Sequence, residues 1–173
     1  MRLAIPGEAS AQIGHNRAMS TKRLLVVYHS QTGATRRMLE AVLVGARDPD
    51  CGDIDVVVRE ALQTSAEDVL AAQGLILGTP ENFGYMSGGL KDFFDRIYYP
   101  CLEHTRGLPY GLFIRGGNDG TGARSAIERI VTGLGWRSVA APVILAGDFE
   151  DSQLADCGLL GQTLAAGLSA GVF

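Results

Sequence analysis

LLVVYHSQTGATRRM, residues 24–38, contains the change of pattern that decides the fold. Residues 24–28 are apolar without interruption, which predicts a strand buried on both faces of a parallel sheet. From Met38 onward the apolar positions recur at a helical interval, through Val42 and Ala46. A polar segment that contains glycine separates the two patterns, so this stretch predicts a strand–turn–helix unit.

The same alternation continues along the chain. Four more apolar runs predict strands: IDVVV (54–58), GLILG (74–78), YGLFI (110–114) and VAAPVIL (139–145). Ser65 and Asp68 have the spacing of a capping box, which predicts the start of a short helix. The remaining helical stripes are Leu90, Phe93, Phe94 and Ile97; Ala123, Ile127, Ile130, Val131 and Leu134; and Leu160, Leu164 and Leu168. Strands that alternate with helices predict an α/β fold with a parallel sheet and helices on both faces.

Two residues predict the order of the five strands. Pro142 cannot donate a ladder hydrogen bond, which places the fifth strand at one edge, and Asp55 suits the second strand to the other edge. The predicted order is therefore 2-1-3-4-5, a doubly wound sheet. Residues 23–173 make up this single domain. Residues 1–22 show no apolar periodicity, and we expect them to be a flexible leader or the product of an upstream start before Met19.

Composition narrows the classes of function. The 173 residues carry a net charge of −4, which disfavours a general nucleic-acid binder. No apolar run approaches the roughly 20 residues of a membrane helix, so no membrane partner is expected. Cys51, Cys101 and Cys157 are odd in number and widely spaced. This spacing argues against disulfides and against a metal site, and it favours reduced thiols in the cytoplasm.

The function is expected at one edge of the sheet. Ligands of a doubly wound sheet bind at the carboxyl ends of the strands, where the strand order reverses. Three unusual segments are predicted at that edge: the first loop (residues 29–36), the second loop (residues 78–89) and the third loop (residues 115–123).

The first loop has the composition of a phosphate site. A helix that starts near Thr32 or Gly33 leaves amide groups unpaired at its positive end, and Ser30 and Thr35 add hydroxyl donors. Walker and dinucleotide-binding motifs are absent from the sequence, so one terminal phosphate monoester fits best. A plain helix N-cap with incidental hydroxyls is the alternative.

The second and third loops add a place for a flat ring. In the second loop, Phe83 lies between Pro80 and Gly84 on a predicted exposed turn, and Ser87 is expected to cap the next helix. The alternative is a hairpin-like turn whose Phe83 points inward. The third loop has four glycines, which let a planar group lie against bare backbone.

These loops resemble those of a known family. The phosphate loop of flavodoxins, Ser-x-Thr-Gly-x-Thr, is matched by Ser30, Thr32, Gly33 and Thr35. Residues 79–96, TPENFGYMSGGLKDFFDR, resemble the second flavin loop and following helix of the flavodoxin-like FMN-dependent NAD(P)H oxidoreductases. That branch includes NAD(P)H:quinone oxidoreductases and FMN reductases, and residues 89–96 are the most specific part. The resemblance covers residues 23–173.

The resemblance implies a flavodoxin-like fold and a bound FMN. It places the FMN phosphate on Ser30–Thr35, the ribityl chain or near side of the ring at Thr79 and Pro80, and the isoalloxazine at Asn82, Phe83 and Gly84. The third loop is expected at the pyrimidine side of the ring. The expected cofactor contacts are Ser30, Gln31, Thr32, Gly33, Ala34, Thr35, Thr79, Pro80, Glu81, Asn82, Phe83, Gly84, Arg115, Gly116, Gly117 and Asn118.

The resemblance also implies an oxidoreductase that takes electrons from NAD(P)H and passes them to a quinone-like or other small acceptor, and it allows a homo-oligomer. The third loop has no aromatic residue, which suggests that one face of the ring is open to substrate. We assign no catalytic acid or base, because the flavin would carry the redox chemistry. A flavodoxin-type electron carrier without substrate turnover is the alternative, and a module that has lost its flavin is a third hypothesis.

Overall fold

A computed structural model describes residues 21–173. The strands are β1 (Lys22–Tyr28), β2 (Ile54–Glu60), β3 (Gly74–Asn82), β4 (Tyr85–Met86), β5 (Pro109–Gly116), β6 (Arg137–Ser138) and β7 (Val143–Ala146). The helices are α1 (Ala34–Ala46), α2 (Ala66–Leu70), α3 (Gly88–Cys101), α4 (Thr121–Leu134) and α5 (Leu154–Ala170). Short 3₁₀ turns lie at Pro49–Cys51, Ala61–Gln63 and Asp151–Gln153. Residues 1–20 of the predicted leader lie outside the described residues.

The sheet has the predicted strand order. Parallel pairing runs β2-β1-β3-β5, and β6 and β7 pair with opposite ends of β5 at the edge. The described sheet has seven strands rather than five. Pro142 has no N–H for the ladder, so the fifth apolar run forms strand β7 after the proline, while Val139 before it donates to the Tyr110 carbonyl oxygen of β5 over 3.1 Å. The other addition, β4, pairs antiparallel with the end of β3.

Both faces of the sheet are covered by the predicted helical stripes. On one face, α3 and α4 pack against Leu25 and Leu75 of the strands. On the other, α1 and α5 pack against Leu24 and Ile76. Residues 24–27 are completely buried, as the uninterrupted apolar run predicts. Each such side chain contributes roughly 1.5–3 kcal/mol by leaving water, so the central strands form a rigid base for the loops.

Local side-chain hydrogen bonds determine where two helices begin. Ser65 Oγ accepts from the Asp68 amide over 3.3 Å, and Asp68 Oδ2 accepts from the Ser65 amide over 2.9 Å, which is the predicted capping box of α2. Ser87 Oγ accepts from the Leu90 amide over 3.3 Å and caps α3, also as predicted. Because α3 follows the second loop directly, this cap also fixes the end of that loop.

None of the helices between residues 21 and 173 has both the length and the apolar character that a membrane crossing requires.

Candidate functional site

The strand register brings the three loops to one edge of the sheet. Tyr28 at the end of β1 is level with Gly78 in β3, and Gly78 is level with Phe113 in β5. Beyond that level, β3 continues to Asn82 and β5 to Gly116. The second and third loops therefore extend past the end of β1, where the first loop begins.

The start of α1 presents unpaired amide groups. Its N-cap, Gly33, has a φ of 96°, a left-handed conformation that glycine adopts without strain. Within residues 21–173, no side chain caps this end of the helix, and its first turn has no acidic residue. The positive end of the helix dipole is therefore uncompensated and offers N–H donors to an anion.

Ser30 adds a hydroxyl to this helix start. Its Oγ is buried and makes no hydrogen bond to any of the described residues, although buried polar atoms are normally paired. Thr35 is also buried, whereas Gln31 and Thr32 are exposed. Rotation of the Ser30 side chain breaks no hydrogen bond within this part of the protein, so its hydroxyl is available to an anion at the helix start.

The second loop is largely a β-hairpin. The strand predicted to end at residue 78 continues to Asn82, and Phe83 and Gly84 connect it to β4. Both connecting residues have positive φ, 53° and 69°, as in the type I′ turn that matches the twist of the strands. The Phe83 side chain is fully exposed, at 108%. The hairpin alternative is therefore correct for the backbone, but the ring points away from the core.

Buried hydroxyls fix this hairpin to α3. Thr79 is fully buried, and its Oγ1 lies 2.8 Å from the Pro80 carbonyl oxygen and 3.1 Å from Ser87 Oγ. The backbone N–H of Ser87 donates to Thr79 Oγ1 over 3.0 Å. Because the Thr79 hydroxyl is used within the protein, a ligand contact from this residue would come from its backbone.

A side-chain hydrogen bond joins the first and second loops. Asn82 Nδ2 donates to Gln31 Oε1 over 3.0 Å. Both residues belong to the predicted cofactor contacts, and they are 51 positions apart in the sequence. The structure thus brings the phosphate-type loop and the ring-type loop into direct contact.

Glu81 joins the second loop to the third. Its side chain is only 6% exposed, and its Oε2 accepts from the backbone N–H groups of Asn118 (2.9 Å) and Gly120 (3.1 Å). Burial by itself raises the pKa of Glu81, but backbone hydrogen bonds from Asn118, Gly120, Ala123 and Gly122 outweigh burial and hold that pKa below its usual range. The carboxylate, which belongs to β3, therefore caps the N-terminus of α4.

The same two loops also meet through their backbones. Gly122, in the first turn of α4, lies so close to the carbonyl oxygen of Gly84 that a Cβ at position 122 would overlap it. No larger residue fits there without a shift of the hairpin. The second and third loops consequently behave as one structural unit.

The Arg115 side chain is directed toward the last strand. Its Nη1 donates to the carbonyl oxygens of Gly116 and Leu145. The guanidinium carbons of Arg115 and Arg37 lie 5.5 Å and 4.8 Å from the ring centroid of Phe149, within the range of a cation–π interaction. This segment after β7 is not among the expected cofactor contacts, although the aromatic residue that follows the last strand is visible in the sequence.

Comparison with known families identifies the family of this chain. A family model described as NADPH-dependent FMN reductase matches residues 11–151, which is most of the chain. The chain belongs to this family. In this NADPH-dependent FMN reductase family member, the loops that resemble flavin loops in sequence lie together at the carboxyl edge of the sheet.

Individual relatives have modest similarity to this family member. A flavodoxin of Aquifex aeolicus is 34% identical over 110 residues, which are 64% of this chain and 58% of the relative. An NAD(P)H dehydrogenase (quinone) of Acidithiobacillus ferrooxidans is 35% identical over 94 residues, 43% of this chain and 46% of the relative. The chain therefore spans about half the length of these curated relatives.

Solved structures show the fold. An archaeal flavodoxin superposes with a TM-score of 0.73 at 21% identity, covering 86% of this chain and 99% of the other. A WrbA-like flavodoxin of Agrobacterium tumefaciens gives 0.71 at 21% identity, covering 87% and 99%. The predicted flavodoxin-like fold is confirmed.

The predicted site residues are thus placed at one edge of the sheet, and their contacts with a cofactor stay a prediction. The structure connects the first loop to the second through Gln31 and Asn82, and the second to the third through Glu81. Among residues 21–173, no group of three or more His, Cys, Asp or Glu side chains could hold a metal ion.

Proposed function

We propose that the protein binds FMN at the carboxyl edge of its sheet and acts as an oxidoreductase. It takes electrons from NAD(P)H and passes them to a quinone-like or other small acceptor. Membership of the NADPH-dependent FMN reductase family supports this function. The observation that carries it is the start of α1, which no side chain of residues 21–173 caps and which closely follows the buried hydroxyl of Ser30 in the chain.

The first loop fits a phosphate monoester. Backbone N–H groups at the start of α1 supply a partial positive charge, and the hydroxyls of Ser30, Thr32 and Thr35 supply further donors. Arg37 is already paired with Asp151 over 2.6 Å. The proposal therefore assigns the phosphate to backbone and hydroxyl groups and not to Arg37.

The second and third loops fit the planar part of FMN. The exposed ring of Phe83 offers an apolar face, while Gly116 and Gly117 allow close approach of the backbone. Glu81 uses the amides of Asn118 and Gly120, so the polar edge of the ring would bind to other amides of these loops. When FMN is bound, it accepts and transfers the electrons. The residues of the chain bind FMN, orient its ring and control access to it.

Cofactor binding and reduction test the proposal together. Purified protein is incubated with FMN, separated from the free cofactor, and titrated anaerobically with NADPH and with NADH. We expect FMN to stay with the protein and one nicotinamide to bleach its visible absorption. A small quinone should then restore the colour faster than it does with free FMN. Protein that retains no FMN refutes the cofactor, and bound FMN that neither nicotinamide bleaches refutes the enzyme.

A flavodoxin-type electron carrier is the second candidate. It is favoured by the full exposure of Phe83 beside the site, because a carrier must present its site to a protein partner. The similarity to the Aquifex aeolicus flavodoxin also favours it. The titration separates the two candidates, since NAD(P)H alone is not expected to bleach a carrier.

The proposal includes a cytoplasmic location and a homo-oligomer. Cys51, Cys101 and Cys157 are free and buried, which suits a reducing compartment. Tyr99 and Phe83 expose large aromatic side chains, as surfaces that bind another chain often do. Sedimentation velocity measures the assembly directly, and a single monomeric species refutes the homo-oligomer.

A further inference from the structure

We propose that Glu81 is a positioning residue whose carboxylate, carried by β3, holds the third loop in the conformation that receives the isoalloxazine ring. The identity of that ring rests on the proposed function. The contact between Glu81 and the third loop does not, because it is present in the protein itself.

Few side chains fix the third loop around Asn118 and Gly120; its other contacts are the packing of Gly122 on the Gly84 carbonyl oxygen and the bond from Arg115 Nη1 to the Gly116 carbonyl oxygen. Residues 116 and 117 are glycines, and Asp119 bonds only locally, accepting from the Thr121 amide (3.0 Å) and the Thr121 hydroxyl (2.6 Å). The N-cap of α4, Gly120, receives no side-chain cap from its own segment within the described residues. The carboxylate of Glu81 takes that role from the neighbouring strand.

The position of Glu81 in the chain makes this contact relevant to the site. It lies between Pro80 and Asn82, and both are predicted cofactor contacts. A side chain that starts between them and ends on the amides of Asn118 and Gly120 couples the second loop to the third. Displacement of one loop must therefore displace the other or break two hydrogen bonds to a charged group.

The Glu81 carboxylate keeps its negative charge at the edge of the candidate site. In the described part of the chain, backbone N–H groups meet this carboxylate, and no basic side chain pairs with it. Despite its burial, hydrogen bonds from the Asn118 and Gly120 amides favour the ionised form and hold the pKa of Glu81 below its usual range. A fixed negative charge disfavours the addition of an electron to a nearby group, so Glu81 should also lower the reduction potential of the bound cofactor.

Hydrogen exchange of the cofactor-free protein tests the contact first. In Glu81→Gln, we expect the Asn118 and Gly120 amides to exchange with deuterium about tenfold faster or more, measured by NMR. The matched control is Glu128→Gln, which removes a carboxylate of α4 that pairs with Arg124 over 2.7 Å and leaves both amides unchanged. Equal exchange in the wild type and Glu81→Gln overturns the proposal whether or not the protein binds FMN.

Affinity for two flavins tests the positioning of the ring. FMN and riboflavin have the same ring, and only FMN has the phosphate. We expect Glu81→Gln to weaken both by about the same factor, on the order of tenfold. A loss confined to FMN, or no loss in either, overturns the role at the ring. Wild-type protein that binds no flavin defeats the proposed function instead, and the exchange measurement still decides whether Glu81 holds the third loop.

The reduction potential separates positioning from simple loss of structure. Glu81→Gln should make the potential of bound FMN more positive, whereas Glu128→Gln should not. Glu81→Asp keeps the charge but shortens the side chain. It should therefore speed amide exchange without the rise in potential, and it serves as the test if the glutamine variant does not fold. An unchanged potential in Glu81→Gln, or slow exchange in Glu81→Asp, overturns the proposal.

Discussion

Replacement of Ser30 by alanine should stabilise the free protein and weaken its binding of FMN. The Ser30 Oγ is buried, and no described residue bonds to it. An unpaired buried polar atom costs roughly 1–3 kcal/mol in lost hydration. Its removal should therefore raise the free energy of unfolding, by about 1 kcal/mol at the lower end of that range.

The same hydroxyl should contribute to binding of the FMN phosphate. A hydrogen bond to a charged group contributes about 1.5–3 kcal/mol, which corresponds to a loss of about 10- to 150-fold in affinity. Riboflavin has no phosphate, so its dissociation constant should not change. Opposite signs for stability and affinity are difficult to obtain from general damage to the fold.

Two titrations and a matched variant test this reasoning. Urea unfolding measures the stability of the free protein, and quenching of flavin fluorescence measures the affinities for FMN and riboflavin. The control is Ser87→Ala. Its hydroxyl is buried but accepts from the Leu90 amide, so its loss should destabilise the protein by about 1 kcal/mol. Unchanged FMN affinity in Ser30→Ala, or an equal loss for riboflavin, refutes the placement of the phosphate.

Three further outcomes are expected. Gly122→Ala should lower both the thermal midpoint and the FMN affinity, because its Cβ overlaps the carbonyl oxygen of Gly84. Gly88→Ala, where a Cβ meets no atom within 4 Å, should lower neither. Ser65→Ala should lower the free energy of unfolding by about 1 kcal/mol in urea through loss of the capping box, and FMN affinity should stay the same. Burial raises the pKa of Cys101 and Cys157 to about 11, so native protein should react slowly with a thiol reagent at neutral pH and rapidly in urea.

Much of the fold could be predicted because its signals are local. The uninterrupted apolar run of residues 24–28 and the caps at Ser65 and Ser87 each depend on residues close in sequence. The hairpin of β3 and β4 could not be predicted in the same way. Its type I′ turn is usually marked by Asn-Gly or Asp-Gly, and here Phe83 occupies the first of those positions.

The candidate site also has parts that local sequence predicts and parts that it does not. The hydroxyls and the glycine of the first loop lie within a few residues of one another, so the local composition predicts a phosphate site. The hydrogen bonds to Glu81 from Asn118 and Gly120 join residues 37 and 39 positions apart in the sequence. No local sequence pattern predicts them. The two arginines that flank Phe149 likewise come from α1 and β5. Such pairings depend on the register of strands, which a single sequence does not specify.

The turn at Phe83 sets a limit on engineering this protein for heat resistance. A bulky residue at a φ of 53° stores roughly 1–2 kcal/mol of backbone strain. Asparagine or glycine would release much of that strain. A screen for thermostable variants would therefore select substitutions at position 83, and each selected variant would lose the exposed ring together with the strain.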